Sequence, residues 1–374
     1  MSTESNEATQ NRRSNTIAAL SLIVSLLTVV AMIVNFSQDQ KRSKTAEEVI
    51  IKQLTDEIWD LLGGYQGVVW VRADLARPED FGRIEKARRK LENELLTRDP
   101  NHKRGMDLKA LYFMKIGALE KSLEQYEKVI ELYPNYDKAY CNRGSVWLRK
   151  ENVQLAIKDF NKAIEINPNF DRAFNNRASA WLSKGKFDLA VQDFTKAIEI
   201  NPRFAIAYLN RATAWRKQNK YDRAFTDYEK ALSINPSLPS AYAGLSLIYY
   251  IKGDFEKSIQ SSSKALHTDP SHIDGYNNKA WILATCPIER LRDGRKAVEL
   301  AQKAVEILQN YQTFDTLAAA FAECGEFEKA IAAEKKAIAL LKIKGDPSEL
   351  NRAIKHLESY INRKPWRDKS GEVY

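Results

Sequence analysis

The hydrophobic positions in the middle of this 374-residue chain recur with a fixed period of 34 residues. Between residues 137 and 236 one pattern occurs three times. When the repeats are aligned, prolines, aromatic residues and alanines each recur at fixed positions, which we call columns. The columns are Pro134, Pro168, Pro202, Pro236 and Pro270; Trp147, Trp181, Trp215 and Tyr249; Phe160, Phe194 and Tyr228; Ala156, Ala190 and Ala224; and Ala163, Ala197, Ala231 and Ala265. A period of about 20–50 residues indicates a stack of supersecondary units.

Each 34-residue unit predicts two helices. In the unit that begins at Asp137, apolar residues one and two turns apart predict a first amphipathic helix through Trp147. A polar break at 150–152 separates it from a second apolar pattern that runs from Ala156 to Ile166. Asn167-Pro168 ends the second helix, because proline restrains the preceding residue and cannot donate to the helical hydrogen-bond ladder.

Small and bulky residues alternate in a way that suits close helix packing. Gly144, Ala156 and Ala163 let two helix backbones approach, while Trp147 and Phe160 fill the space between them. This combination of aromatic, small, alanine and proline positions resembles the tetratricopeptide repeat family. The resemblance implies an all-α, right-handed α-solenoid in which the first helix of each repeat lines a concave surface, and it implies a binding platform for another protein.

The period extends on both sides of its clearest part. Seven repeats are predicted within 103–344, with units that begin near residues 103, 137, 171, 205, 239, 273 and 311. Residues 37–102 are interpreted as a linker helix and a divergent N-terminal repeat or cap, and 345–374 as a C-terminal capping helix and tail. In the capping helix, the residues expected to face the last repeat are Leu350, Ala353, Ile354, Leu357 and Ile361.

The sixth unit is irregular. Ala280 and Ala297 stand 17 residues apart, whereas the matching alanines of the other units stand 12 apart. The five extra residues fall within 285–293, between the two predicted helices. Insertions in solenoids map to loops that are often functional, and they are also tolerated as plain surface extensions, so the sequence leaves the role of this insertion open.

The N-terminal region predicts a membrane anchor. Residues 1–15 are polar and are expected to be disordered, and residues 16–36 contain no charged side chain. A 21-residue helix is about 31 Å long, which matches the apolar thickness of a bilayer. The alternatives are a cleaved signal peptide, which is usually shorter and ends in a small-residue cleavage site, or a buried core helix. We therefore expect 16–36 to be a single transmembrane helix.

The positive charges on the two sides of this predicted span are nearly equal in number, so they do not decide its orientation. Arg12 and Arg13 precede it, and Lys41, Arg42 and Lys44 follow it. A short tail ahead of a large C-terminal domain is typical of a signal anchor, which favours a single-pass protein with its N-terminus inside and the solenoid exported. The basic cluster after the span would equally suit contact with an anionic cytoplasmic leaflet.

Composition and motifs argue against catalysis. The formal net charge of +9 and a pI near 9.2 mildly favour acidic partners or anionic lipid, but basic and acidic residues are interleaved. Neither the cysteines nor the histidines have the spacing of a disulfide framework or a metal site, and no phosphate-loop, metalloprotease or hydrolase motif is present. No enzyme activity, cofactor, metal, small-molecule substrate or nucleic acid is predicted. The cysteines are Cys141, Cys286 and Cys324, and the histidines are His102, His267, His272 and His356.

An arginine and an aspartate recur together in units two, three and four, where the family usually has an apolar residue at the arginine position. The aspartate follows its arginine by 16 residues, and the other units lack both. This joint presence predicts a structural pair between two helices, and the alternative is a basic ligand-binding ladder. The pairs are Arg143 with Asp159, Arg177 with Asp193, and Arg211 with Asp227.

The resemblance places the partner-binding groove on the first helices. This surface is polar with basic spots, which suits an extended peptide or a partner helix. It lacks the dense cations and aromatics of a nucleic-acid groove. The leading hypothesis is a membrane-anchored interaction scaffold, and the alternative is a non-catalytic regulatory or substrate-presenting subunit of an enzyme complex. The predicted groove residues are Asn142, Ser145, Arg149, Asn176, Ser179, Asn210, Thr213, Arg216, Lys217 and Tyr250.

Overall fold

The computed structural model describes residues 48, 51–58, 85–344 and 347–368. The predicted membrane span 16–36 lies outside these residues, as do the predicted tail 1–15 and most of the linker before residue 85. Residues 51–58 and 85–98 are helical, the latter with a π-helical turn at Leu91–Leu95. Within the described ranges no helix combines the length and the apolar composition that a bilayer crossing requires.

Helices follow one another in pairs from residue 103 onward. The first helices of the pairs are α1 Lys103–Lys115, α3 Asp137–Arg149, α5 Asp171–Ser183, α7 Ala205–Lys217, α9 Pro239–Ile251, α11 Ile273–Thr285 and α13 Tyr311–Glu323. The second helices are α2 Leu119–Leu132, α4 Val153–Ile166, α6 Phe187–Ile200, α8 Tyr221–Ile234, α10 Phe255–Thr268, α12 Gly294–Ile307 and α14 Phe327–Lys344. A last helix, α15 Pro347–Ile361, follows.

The chain divides into two compact units, 1–150 and 151–374. In the first unit α1 packs on α2, and α2 on α3. In the second unit each first helix packs on its own second helix, and successive first helices from α5 to α13 also contact one another. This order means that positions shared by the first helices of the second unit lie side by side.

The repeated alanines and aromatics form the core. Ala190, Ala197, Ala224 and Ala231 have no exposed surface, because helix backbones meet at these positions. Phe194 is also fully buried, and it packs in one cluster with Ala178 and Ala190. Burial of an aromatic ring of this size typically stabilises a fold by about 1.5–3 kcal/mol. The small-and-large pattern of the sequence is therefore the packing pattern of the solenoid.

The insertion of the sixth repeat forms a short 3₁₀ turn at Glu289–Leu291. Ile288 and Leu291 pack against the hydrophobic core of the last repeats. Arg292 donates from Nε to Glu323 at 2.9 Å and from Nη1 to the Cys286 carbonyl at 3.1 Å. The inserted residues are thus held against both α11 and α13.

The capping helix α15 packs on α14 and α13 with a different face from the one expected. Ala353, His356 and Tyr360 are its buried residues, whereas 39% of Ile354 and 57% of Ile361 remain exposed. The expectation that Ile354 and Ile361 face the last repeat is wrong. The helix is rotated because His356 points inward, where its Nδ1 lies 2.7 Å from Asp315 Oδ1.

Candidate protein-interaction surface

The predicted groove residues lie on the first helices at positions 6, 9, 12 and 13, counted from the first residue of each helix. We call these positions of α5, α7, α9, α11 and α13 the first-helix surface. Most of the predicted groove residues are half-buried, two are buried and one is an exposed cation. Asn142, Arg149, Asn176, Ser179, Asn210, Thr213 and Arg216 are half-buried, Ser145 and Tyr250 are buried, and Lys217 is exposed.

The asparagines at position 6 connect neighbouring first helices. Three of the four side-chain amides donate to position 5 of the preceding first helix, which cross-links successive repeats. The bonds run from Asn142 to Asp107 Oδ1 at 2.8 Å, from Asn210 to Asn175 Oδ1 at 3.2 Å, and from Asn278 to the Ala243 carbonyl at 3.1 Å. Asn176 Oδ1 accepts a bond of 3.2 Å from Asn175. These amides serve repeat stacking.

Position 6 of α9 is Gly244, which interrupts the asparagine column. An added Cβ at this glycine would lie 2.4 Å from Cζ of Tyr228. Tyr228 is 2% exposed and its hydroxyl lies 3.3 Å from Oγ1 of Thr213. The tyrosine ring therefore takes the space that an asparagine side chain has in the neighbouring repeats.

The hydroxyls at position 9 bond within their own helices. Ser145 donates to the Cys141 carbonyl at 3.0 Å, Ser179 to Asn175 at 3.0 Å, and Thr213 to Leu209 at 3.1 Å. These bonds use the hydroxyl protons, so the oxygens can still accept hydrogen bonds. On α5 and α7 these acceptors suit the amides or cations of a bound chain.

The cations of the surface differ in their surroundings. Arg149 donates to the Met114 carbonyl at the end of α1, and burial lowers the pKa of its guanidinium. Arg216 is half-buried and Lys217 is exposed at the end of α7. Arg216 and Lys217 therefore carry the positive charge that a partner would meet on the second unit's surface, whereas Arg149 is engaged with backbone.

The arginine–aspartate pairs of units three and four are bidentate ion pairs. Arg177 donates to Asp193 from Nε at 2.8 Å and from Nη2 at 2.7 Å, and its Nη1 donates to Asn161 at 2.7 Å. Arg211 makes two bonds of 2.8 Å to Asp227 and one of 3.1 Å to Thr195. Arg143 and Asp159 lie in the same repeat but on opposite sides of the division between the compact units 1–150 and 151–374, so their pairing stays a prediction.

A cluster of buried titratable residues lies under the capping helix. Its members are far apart in the sequence, so the sequence alone did not predict it. Asp315, Glu334 and His356 each bring one ligand-type atom within 4.8 Å of the others. Burial, and the nearby Asp315 carboxylate, raise the pKa of Glu334 well above its ordinary value. His356 opposes the effect of burial on Asp315, whose pKa is lowered. The contact of 2.7 Å between His356 Nδ1 and Asp315 Oδ1 is a hydrogen bond that ties α15 to α13.

The first-helix surface also contains residues that the sequence reasoning missed. Trp281 occupies position 9 of α11, two periods after Thr213, and Thr285 occupies position 13. The position-9 column, followed in 34-residue steps from Thr213, leads to Trp281, where an indole replaces the hydroxyl. Trp281 and Tyr250 both contact Asp368, which follows the capping helix and which no repeat pattern covers.

Five stretches of the chain match tetratricopeptide repeat models. They are 137–170, 172–204 and 205–238, and, by a second model of the same repeat, 104–136 and 239–272. Residues 104–272 are tetratricopeptide repeats. The all-α repeat solenoid implied by the sequence is thereby confirmed, and α11–α14 add two further helix pairs beyond the matched stretches.

A solved structure of a tetratricopeptide repeat protein shares this fold, and two further solved structures are similar to parts of the chain. A tetratricopeptide repeat protein from Parabacteroides merdae is 18% identical, covers 70% of this chain and 99% of its own, and superposes with a TM-score of 0.51. MamA is 23% identical over 43% of this chain and 94% of its own, with a TM-score of 0.39. YrrB, described as having an unusual peptide-binding site, is 19% identical over 50% of this chain and 94% of its own, with a TM-score of 0.39. The sequence matches no curated protein.

Proposed function

We propose that this chain is a membrane-anchored scaffold that binds an extended peptide or a helix of a partner protein on its first-helix surface. The observation that carries the proposal is the direct contact between successive first helices from α5 to α13. Their positions 9, 12 and 13 lie side by side as one strip, with hydroxyls, Arg216 and Lys217 on it. Tetratricopeptide repeats are interaction modules, and extended surfaces of stacked repeats suit extended ligands.

The outward faces of the second helices offer less to a partner. Lys162–Glu165 and Lys196–Glu199 form exposed i,i+3 ion pairs there. Exposed pairs of this kind contribute little free energy and mainly keep a helix face soluble. A partner therefore has more to gain on the first-helix surface, where Ser179, Thr213 and Arg216 are already half-buried.

A scaffold with this surface would act at a membrane through residues 16–36. We place the amino-terminal tail inside and the solenoid on the exported side, since a short tail before a large domain is typical of a signal anchor. This part of the proposal rests on 21 successive residues without a charge, a length that matches an apolar bilayer core.

Site-specific crosslinking tests the binding surface. A photo-crosslinking amino acid is placed at Ser179, Thr213 or Lys217 of the full chain in its own cells, with Lys196 and Glu199 on a second helix as matched controls. We expect one crosslinked partner of constant mass from the three first-helix positions and none from the controls. Equal crosslinking from both faces, or crosslinking from the controls alone, would refute the proposed surface.

Membrane fractionation and protease protection test the anchor. The full chain should stay with the membrane after an alkaline wash, and replacement of two central leucines of 16–36 by arginine should release it. Protease added to sealed, right-side-out cells should cut the solenoid if it is exported. Cutting only after lysis would reverse the proposed orientation, and release of the unaltered chain by the wash would refute the anchor.

A further inference from the structure

The chain turns back onto its own repeats after the capping helix. Arg363 adopts a left-handed conformation with φ of 54°. Lys364 N donates to the Ser359 carbonyl at 3.0 Å, and Ser359 Oγ donates to the Lys364 carbonyl at 2.8 Å. Pro365 then prevents any continuation of the helix. The following residues, which with Lys364 and Pro365 make up the tail segment 364–368, run without helix or strand along α11 and α13.

The tail segment ends at Asp368, whose carboxylate accepts hydrogen bonds from several side chains. Asp368 is 9% exposed and accepts from the indole nitrogens of Trp281 and Trp366, each at 2.7 Å. The Tyr250 hydroxyl also donates to it, and its backbone N donates to the Thr285 carbonyl at 3.3 Å. Burial, and then the Asp368 carboxylate, raise the pKa of Tyr250, so its phenol keeps its proton. Neutral donors thus satisfy a buried charge whose desolvation would otherwise be costly.

The two residues before Asp368 are held just as specifically. The ring of Trp366 lies 4.4 Å from the ring of His356, centroid to centroid, and packs against the core of the last repeats. Arg367 donates to the Ala284 carbonyl at 3.3 Å and pairs with Glu323. Glu323 also accepts from Arg292 of the insertion at 2.9 Å, so the inserted loop helps to position the carboxylate that receives Arg367.

These contacts fall on the columns that form the first-helix surface elsewhere. Trp281 stands at position 9, where α5 and α7 have Ser179 and Thr213. Tyr250 stands at position 12, and Thr285 and Glu323 stand at position 13. The tail segment therefore lies where a bound peptide would lie, in an extended form and through side-chain recognition.

We propose that α9, α11 and α13, together with His356 of α15, form a peptide-binding site for an extended segment with an aromatic, a basic and an acidic residue in succession, and that residues 364–368 occupy it in cis. The proposal rests on the proposed function, because it assigns the chemistry of the partner segment. The indole of such a segment lies against His356, its cation on Glu323, and its carboxylate between Trp281 and Tyr250. A partner must displace the tail segment to engage these repeats.

Tethering gives the tail segment an advantage. Only Asn362 and Arg363 separate it from α15, and a short tether produces an effective concentration on the order of millimolar. A partner that offers the same motif alone is therefore excluded unless it also contacts repeats nearer the N-terminus. Occupation in cis makes this end of the surface selective for partners that span several repeats.

Peptide binding to the full chain in detergent micelles tests the proposal. The probe is a fluorescent peptide with the sequence of residues 362–369, and its matched control carries asparagine at the position of Asp368. The protein is compared as wild type, as Asp368→Asn, and as Trp366→Ala with Asp368→Ala. We expect the peptide to bind both tail variants about tenfold or more tightly than wild type, and the control peptide to bind them about tenfold more weakly than the probe.

Substitutions in the site separate recognition from folding. Trp281→Phe added to Asp368→Asn keeps an aromatic ring but removes the indole donor, so it should weaken probe binding about tenfold, whereas Ser179→Ala in a distant repeat should change nothing. No probe binding to either folded tail variant up to about millimolar, or equal binding to wild type, overturns the proposal. A stable wild-type dimer that dissociates on Asp368→Asn would assign the tail to a second copy and overturn its occupation in cis. Crosslinking at Ser179 and Thr213 does not depend on this result, so the proposed function can stand when this inference fails.

Discussion

Arg177 and Arg211 each join three helices through one guanidinium. Arg177 lies on α5, binds Asp193 on α6 through two bonds, and reaches Asn161 on α4 with its remaining nitrogen. The ring of Phe174 lies 5.4 Å from its guanidinium carbon. Bidentate geometry and stacking on an aromatic face are properties of arginine that lysine does not reproduce. This residue therefore fastens a repeat internally and to the repeat before it.

Removal of one partner should cost more than removal of both. Asp193→Ala leaves a partly buried guanidinium unpaired and should lower the free energy of unfolding by about 2–3 kcal/mol. Arg177→Leu with Asp193→Ser reproduces the combination Leu245 and Ser261 of the fifth repeat, and should recover most of that loss. Urea denaturation measures both variants, with Glu199→Ala as an exposed control that should shift stability by less than about 0.5 kcal/mol. A double variant no more stable than Asp193→Ala would contradict the pairing.

Glu334 is a carboxyl in a buried site under the capping helix. Its side chain has no exposed surface, and neither carboxyl oxygen has a hydrogen-bond partner among the described residues. Asp315, His356, Tyr360 and, at 4.0 Å from Asp315, Arg352 are charged or titratable groups around it. Its folded-state pKa is well above the ordinary 4.5, so folding takes up a proton whenever the pH lies between the two values.

Stability should therefore fall as the pH rises above about 4.5. In that window the unfolded chain has lost the proton that the folded chain keeps, so each pH unit costs about 1.4 kcal/mol. Glu334→Gln removes the titration and should make the protein more stable than wild type at pH 7. Thermal unfolding from pH 4 to pH 8 checks this, with Glu199→Gln as an exposed control. A constant difference between wild type and Glu334→Gln across this range would contradict the assignment.

At the scale of the elements, one turn geometry joins the two helices of most repeats. A left-handed residue follows the first helix in six of the seven described repeats: Gly117, Glu151, Gly185, Asn219, Gly253 and Gly325. Glycine adopts this conformation without the steric cost that a Cβ brings, and asparagine tolerates it better than most residues. Glu151 is the unfavourable member of this series.

Glu151→Gly should stabilise the protein by about 0.5–1 kcal/mol, because it relieves left-handed strain at φ of 60°. Gly185→Ala is the matched reverse change, and a Cβ at Gly185 would have no atom within 4 Å, so only backbone strain should act. It should cost about 1 kcal/mol in the same denaturation assay. Opposite signs for the two changes are required, and the same sign for both would show that backbone strain does not control this turn.

At the scale of the whole molecule, we expect recognition to depend on two features, the first-helix surface and the tail segment 364–368. The repeats supply a strip of hydroxyls and cations on α5 and α7, and aromatic donors on α9 and α11. The proposed tail occupation would make the last repeats accessible only to a competing segment, while the earlier repeats remain open. With the proposed anchor at 16–36, such a surface would collect its partner at a membrane.

The local parts of this arrangement could be predicted from the sequence. The first helices of repeats one to six begin at the residues that the 34-residue period marks. The alanine columns and the column of Phe160, Phe194 and Tyr228 are buried, and the column of Trp147, Trp181, Trp215 and Tyr249 is half-buried, because periodicity encodes which helix face avoids water. The Arg177 and Arg211 contacts were accessible for the same reason, since a pair that appears and disappears together at one spacing has a fixed geometry. The anchor and its orientation remain predictions that rest on the uncharged run 16–36.

Only the tertiary structure decided what meets at the end of the solenoid. Asp315, Glu334 and His356 are brought together from three helices, and Asp368 reaches Trp281 and Tyr250 across 87 and 118 residues. None of these contacts repeats with the 34-residue period, so no column could reveal them. The sequence by itself determined the repeating unit, because local hydrophobic spacing and breakers specify it. Where the non-repeating tail lies, and which face of α15 turns inward, depend on single long-range contacts that form only when the repeats are already stacked.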